Sequence, residues 1–335
     1  MYFRDLIKIW GPPVCDSFNE ETLVGNISID SRDISSGDFF VPLVGERHDA
    51  HIYLNEIKNK GAQASLVMKN MSHLVPDGLV HWLVDDTLLA YQKLAKIYRQ
   101  EIGIPVIAVT GSTGKTTTRE LIKSFLSIKD TFNVMSTEAN NNNDIGVPLT
   151  LLSARKDHTA IVVEMGMRGL GQIERLSYCA IPDVAVITNI GNAHIGLLGS
   201  KKNIAKAKCE IVSSLNPFGL VVIPRGDILL ESELSKVWQG RIVRVGLGDN
   251  QIVNSDFDKK INKSSQINII GYISKNRKFI SIDDKHYNLP LEGDYNAINY
   301  LLAFAVAKEL KINTDKLKSV EVNLPSGRNS IINND

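Results

Sequence analysis

The sequence predicts an α/β chain in two parts: a small N-terminal α/β unit, then a central domain with a mostly parallel sheet and an added antiparallel section. Three observations predict it. From Ile104 onward, short Val- and Ile-rich runs alternate with stretches of helical periodicity, as in a parallel sheet covered on both faces. Gly103 and Pro105 punctuate the chain just before that pattern begins, which sets the boundary at residue 102. Residues 246–290 are more polar and alternating, the pattern of strands with one wet face.

In the first part, "NISIDSRDISSGDFFVPLVG" predicts two strands around a turn, since Ser35, Ser36, Gly37 and Asp38 supply turn chemistry. "AHIYLNEIKNKG" sets apolar residues at helical spacing, with Gly61 where a helix end needs a left-handed residue. "ASLVM" and "HWLVDD" are further strands, and Asp86 is placed to cap the helix "TLLAYQKLAKIYRQ". In the second part, "VIAVT", "AIVVE", "VAVIT", "LVVI" and "RIVRV" are the buried strands. "INIIGYIS" and "KFISID" are expected to be antiparallel. "NYLLAFAVAKELK" is apolar nearly all round and predicts a core helix.

A chain of 335 residues exceeds what one core usually serves. A formal net charge of +1 gives no bulk electrostatic reason to expect nucleic acid as a partner. Cys15, Cys179 and Cys209 lack paired spacing, which fits a reducing cytoplasm better than a disulfide framework. The N-terminus "MYFRDLIKIWGPP" has no uninterrupted apolar core, and no run approaches the roughly 20 apolar residues of a membrane span. The expectation is a soluble intracellular protein.

The stretch "VIAVTGSTGKTTTRELI" carries the first chemistry. Glycine-rich backbone N–H groups ahead of a helix N-terminus form an anion cradle. Here the cradle is Gly111, Ser112, Thr113, Gly114, Lys115, Thr116 and Thr117. Lys115 can reach the outer phosphates of a nucleotide, and the Thr116 hydroxyl can ligate Mg²⁺. Val109 stands where the general Walker pattern has its first glycine. A tight strand-to-helix turn with an exposed lysine would use the same glycines, but strand, glycines, Lys-Thr and helix all fall in the order a phosphate loop needs. Loop chemistry alone fits a kinase, a GTPase, a transport ATPase or a ligase.

A second constellation lies downstream. "AIVVEMG" ends a strand in Glu164, and "VAVITNIGNAHIG" ends another near His194. Strand C-terminal ends in a parallel sheet share the edge where ligands bind, so a carboxylate and an imidazole can meet near a nucleotide's metal. An apolar strand seldom ends in an unpaired acid, which favours Glu164 as a metal or water ligand. His194 reads equally as a structural hydrogen-bonding histidine. Lys208 follows fourteen residues later on a helix. A bare ammonium is a poor neighbour for Mg²⁺, which wants oxygen ligands; it helps there only by pairing with phosphate or after carboxylation of its amine, and a surface lysine is the plainer reading.

Together, "TGSTGKTTTRE", "TEANNNNDIGVPLTLL", "VVEMGMRGLGQIERL" and "ITNIGNAHIGLLGSKKNIAKAKCEI" resemble the Mur ligases of peptidoglycan synthesis. "SIDSRDISSGDFFVPLVGERHDAH" resembles that family's uridine-nucleotide domain, and the resemblance runs from about residue 25 to the end. The family's loop is the shorter TGxxGKT form, so Val109 fits. The resemblance implies an ATP- and Mg²⁺-dependent ligase that forms an acyl phosphate on a UDP-linked muropeptide, which an incoming amine then attacks. The branch resembled adds D-alanyl-D-alanine to UDP-N-acetylmuramoyl-tripeptide, as a cytoplasmic monomer.

By the same resemblance, residues 1–102 bind the uridine end of the muropeptide, 103–325 form the ATP-binding domain, and 326–335 begin a hinge. Lys115 would hold the β/γ-phosphates and Thr116 the first Mg²⁺. Glu164 would be a metal ligand, His194 would hold a second Mg²⁺ between the γ-phosphate and the acyl oxygen, and Lys208 would be a ligand as N6-carboxylysine, with Lys206 as the nearby alternative. Asn299 matches an adenine-contacting asparagine, and Arg328 an arginine reaching ATP from the hinge. A histidine is usual where Tyr295 stands. Thr137, Asn142 and Asn143 match muropeptide contacts, with Ala139 where a glycine is usual. Ser31 and Arg32 match the uridine end, although a strand-edge ion pair accounts equally for Arg32.

The family's full-length members continue after "SIINND" into a third domain that receives the incoming amine. Its absence from the sequence leads to the expectation of weak or no ligation by this chain alone. Within the family, the branch that adds the third peptide residue is the nearest rival, but "NNDIGVPLTLL" and "AKAKCEI" favour the dipeptide-adding one. Folylpolyglutamate synthetases lack the front domain. A non-catalytic module holding nucleotide or UDP-muropeptide is the alternative from a different class. A general kinase leaves the asparagine-rich and His–Lys segments unexplained.

Overall fold

The computed structural model describes residues 1–15, 17–128, 133–248 and 267–322. The chain divides into two compact units, Met1–Glu101 and Ile102–Asp335.

In the first unit, β1 (Ile27–Ser28), β2 (Phe39–Phe40), β3 (Ala64–Met68) and β4 (His81–Val84) form one parallel sheet in that order. The turn before β2 forms as its residues require: Asp38 N donates to the Ser35 carbonyl at 3.1 Å and Asp38 Oδ2 accepts from Ser35 N at 2.8 Å. The two strands around it are only two residues each and run parallel, because a 3₁₀ turn over Ser31–Asp33 lengthens the connection. The helix α1 (Phe3–Trp10), which lacked a strong sequence signal, buries Phe3 against Trp82, ring centroids 5.0 Å apart. After a 3₁₀ turn over Ala50–Tyr53, α2 (Leu54–Asn59) buries Leu54 and Ile57 and ends on Gly61 at φ 84°. Asp86 Oδ1 accepts from the N–H groups of Leu88 and Leu89 and so caps α3 (Thr87–Ile102).

Among its described residues the second unit is built on nine strands. In chain order these are β5 (Val106–Thr110), β6 (Val134–Ser136), β7 (Ala160–Glu164), β8 (Val184–Ile187), β9 (Leu220–Pro224), β10 (Arg241–Leu247), β11 (Ile267–Ile273), β12 (Phe279–Ile282) and β13 (Lys285–Asn288). Their spatial order is β13-β12-β11-β10-β9-β8-β5-β7-β6. Strands β6 through β11 of that row are parallel; β12 and β13 add antiparallel to β11. "INIIGYIS" therefore pairs antiparallel with "KFISID" as expected, and parallel with β10 on its other side.

Among the described residues the helices are α4 (Lys115–Leu126), α5 (Gly146–Leu152), α6 (Gln172–Ala180), α7 (Ile195–Leu198), α8 (Lys201–Cys209), α9 (Ile228–Leu234) and α10 (Asp294–Glu309). Helix α10 is buried nearly all round and packs against α4, where Phe125 meets Tyr300 edge-on at 4.9 Å. Such an aromatic pair contributes about 0.5–1.5 kcal/mol beyond its buried area. It also fixes α4 relative to α10, which matters at the site. Strand order reverses at β5, with β8 on one side and β7 on the other, so a crevice opens at the C-terminal ends of these strands.

Candidate active site

The phosphate loop leaves β5 at that crevice. Val109 is fully buried inside β5, so the turn proper begins at Gly111. A Cβ on Gly111 would overlap Thr188 Oγ1, and one on Gly114 would stand 2.8 Å from Asn299 Oδ1. Gly114 has φ 78° and caps α4, whose first backbone bond runs from Thr118 N to the Gly114 carbonyl. First-turn N–H groups point out of the start of a helix, where an anion can accept from them.

The segment after β8 braces the loop. Asn189 Oδ1 accepts from Thr113 N at 3.1 Å, its carbonyl accepts from Ser112 N, and Ser112 Oγ accepts from Gly191 N at 2.8 Å. Thr188 and Asn189 escaped the sequence reading; their position directly after a buried strand was the available signal. Lys115 Nζ donates to the Gly111 carbonyl at 2.9 Å.

Glu164, at the end of β7, is 3% exposed and gathers three segments. Thr116 Oγ1 donates to its Oε2 at 2.8 Å, and Asn142 Nδ2 to its Oε1 at 2.9 Å. Its backbone N–H donates to Thr137 Oγ1 at 2.9 Å. Arg119, a residue the sequence reading passed over, reaches Oε2 with Nη1 at 3.5 Å. Asn143 stands apart: its Oδ1 accepts from Gly146 N at 2.8 Å and Ile145 N at 3.2 Å, opening α5. Ala139 takes the left-handed conformation, φ 49°, that a glycine would adopt without strain.

His194 is exposed beyond the end of β8, in left-handed backbone at the start of α7. Desolvation first, then the charges of Lys208, Lys115 and Arg168, hold its imidazole below the usual range. Lys208 is 1% exposed on α8, whereas Lys206 faces solvent. Burial, and then the charge of Lys115, brings the Lys208 amine down to about 7, against the opposing pull of Glu210 and Glu164. A lysine so placed is largely able to shed its proton near neutrality, as carboxylation of an amine requires.

A pocket of about 810 Å³ adjoins the loop, lined by Thr113, Gly114 and Thr117 on one side and by Arg225, Asp227, Tyr295, Asn296 and Asn299 on the other. Asn299 is buried, while Tyr295 is 85% exposed at the pocket. Arg225, Asp227 and Asn296 were not singled out from sequence.

Ser31 and Arg32 belong to the first unit. Ser31 is buried and its carbonyl accepts from Lys60 Nζ at 2.8 Å. Arg32 is exposed and engages Asp30 through Nε and Nη2, which is the ion-pair reading of that residue. Arg328 lies outside the described residues.

The residues fit a magnesium nucleotide. The loop's glycines let its backbone turn tightly against Thr188 and Asn299 at the start of α4, and Thr116 and Glu164 supply oxygen donors. Among the described residues no group of three or more His, Cys, Asp and Glu could hold a metal by itself. Among the described residues no helix is long and apolar enough to cross a membrane.

The family model for the Mur ligase middle domain matches residues 109–307. The chain is 40% identical over 313 residues to a UDP-N-acetylmuramoyl-tripeptide–D-alanyl-D-alanine ligase of Synechocystis sp., covering 93% of this chain and 64% of that relative. It is 30% identical over 336 residues to the ligase of the same name from Treponema pallidum, covering 97% of this chain and 69% of the relative. The crystal structure of MurF from Acinetobacter baumannii superposes with a TM-score of 0.79 at 29% identity, over 98% of this chain and 69% of that one. The chain thus spans about two thirds of the length of these relatives. With a middle-domain match over more than half its residues and likeness that continues through the N-terminal unit, the chain belongs to the Mur ligase family.

Proposed function

We propose that this chain carries the nucleotide, metal and muropeptide sites of an ATP-dependent ligase that adds D-alanyl-D-alanine to UDP-N-acetylmuramoyl-tripeptide. The observation that carries the reading is the meeting of Thr116 and Asn142 on Glu164. One buried carboxylate joins the nucleotide loop to the segment matched to the muropeptide. The names of the Synechocystis and Treponema relatives support the choice of substrates.

In this reading Lys115 and the first-turn N–H groups of α4 hold the outer phosphates, and the pocket between Thr117 and Asn299 takes the nucleoside. Thr116 and Glu164 would hold one Mg²⁺, His194 would hold a second, and a carboxylated Lys208 would be a further metal ligand. Bound there, Mg²⁺ neutralises charge as a phosphoryl group passes to the tripeptide's terminal carboxylate. Thr137 and Asn142 orient that carboxylate, and Lys115 offsets the charge that accumulates between the two anions. The carboxylate, once phosphorylated, has a good leaving group and yields to the amine of the dipeptide. Ser31 and Arg32 contact the uridine end. The expected setting is a cytoplasmic monomer.

The test is phosphate release from ATP with UDP-muramoyl dipeptide or tripeptide, each supplied with D-alanyl-D-alanine or a free amino acid as the amine that displaces the phosphate, with and without bicarbonate. Release is expected only with the tripeptide, stimulated by bicarbonate, and reduced at least about 100-fold in Glu164→Ala. Release indifferent to the muropeptide refutes the reading, and preference for the dipeptide moves the chain to the branch that adds the third residue.

A further inference from the structure

Arg119 has no part in the mechanism above, yet it is placed to act on it. Helix α4 carries Thr116 and Arg119 three residues apart, hence on one face. Both reach Glu164 Oε2, the hydroxyl at 2.8 Å and Nη1 at 3.5 Å. The same Nη1 donates to the Ala139 carbonyl at 3.2 Å, while Nε and Nη2 hold Glu120 Oε1 at 3.1 and 2.5 Å. The side chain is 2% exposed. One planar fork therefore ties the phosphate-loop helix, the acid ending β7 and the strap of residues 137–143.

We infer that Arg119 is a positioning residue that couples the two substrate sites, so that nucleotide at the loop tightens the grip of the strap on the muropeptide. The inference rests on the ligase reading. Its sign follows from the strap being held at two points, by Nη1 at the Ala139 carbonyl and by Asn142 on Glu164 Oε1. Nη1 has two N–H groups and serves Ala139 and Glu164 together, so whatever draws the Glu164 carboxylate toward the loop pulls Asn142 with it against the Ala139 anchor, and the strap is then held in one conformation. By linkage, muropeptide strengthens nucleotide binding by the same factor. Lysine cannot replace the fork, because a single ammonium lacks the planar set of donors that reaches three acceptors at once.

Calorimetry on the full 335-residue chain tests this. UDP-muramoyl-tripeptide is titrated with and without Mg²⁺ and a non-hydrolysable ATP analogue, and UDP alone serves as a control ligand. In the wild type the analogue is expected to tighten tripeptide binding about tenfold. In Arg119→Gln and Arg119→Lys that factor is expected to fall below about threefold, with UDP affinity unchanged. A thermal melt reports whether each variant is folded; Arg119→Lys keeps the buried charge and decides the matter if Arg119→Gln does not fold. Full coupling in Arg119→Lys, or a wild type that binds both ligands without coupling, overturns the inference while leaving the ligase reading in place. A wild type that binds neither ligand removes both.

Discussion

Asn299 lies so close to Gly114 that a single methyl group on the glycine would stand 2.8 Å from the amide oxygen. Helix α10 thus borders the phosphate loop, although the two positions are 185 apart in the sequence. The contact is held from behind by the packing of Phe125 on Tyr300.

Gly114→Ala should therefore damage the loop in two ways. A non-glycine residue at φ 78° carries about 1–2 kcal/mol of strain, and the Cβ also presses on Asn299. Nucleotide affinity is expected to drop about tenfold or more. Adding Asn299→Ala removes the crowding but leaves the backbone strain, so the double variant should be less impaired in loop geometry than additivity requires. Fluorescent-nucleotide titration of the four proteins measures this; strict additivity would show that the contact has no energetic consequence.

Lys208 gives a pH dependence of definite sign. Its folded value, about 7, lies below the ordinary 10.5, so between those values the unfolded chain binds the extra proton. Stability should rise with pH across that window, and below it the full burial penalty stands. Lys208→Met is expected to be more stable than the wild type at about pH 6.5 and to lose the advantage by about pH 10. Urea denaturation of both proteins without bicarbonate or metal checks it. An advantage that grows with pH contradicts the assignment of a buried, destabilised ammonium.

Ala139 offers a gain. Its left-handed backbone costs an L-residue about 1–2 kcal/mol, which glycine avoids, while glycine's extra freedom in the unfolded chain takes back about 0.5–1 kcal/mol. Ala139→Gly should stabilise the protein by about 0.5–1 kcal/mol in thermal or urea unfolding. A destabilised variant would mean that the methyl group packs favourably enough to outweigh the strain.

Much of the second unit was legible because its signals are local. The strand, glycines, Lys115 and Thr116 fall within a dozen consecutive residues, and an acid closing the apolar run at Glu164 stands out against its neighbours. The two-residue strands β1 and β2 were harder to orient: so short a run has no periodicity, and only pairing with β3 makes all three parallel. Arg119 was invisible for a different reason. On α4 it looks like any helix-surface arginine until β7 and the strap close over it.

By itself the sequence determined which segments become buried strands and where the glycine-rich loop turns into α4. Tertiary structure alone decided that Thr116, Asn142 and Arg119 share the Glu164 carboxylate while Thr137 accepts from its backbone N–H, that Lys208 and not Lys206 is enclosed, and that Asn299 abuts the loop. The division has a physical cause. Turn chemistry and hydrophobic period depend on neighbours along the chain, whereas the burial and partners of a polar group depend on residues that only the packing of helices on the sheet brings within reach.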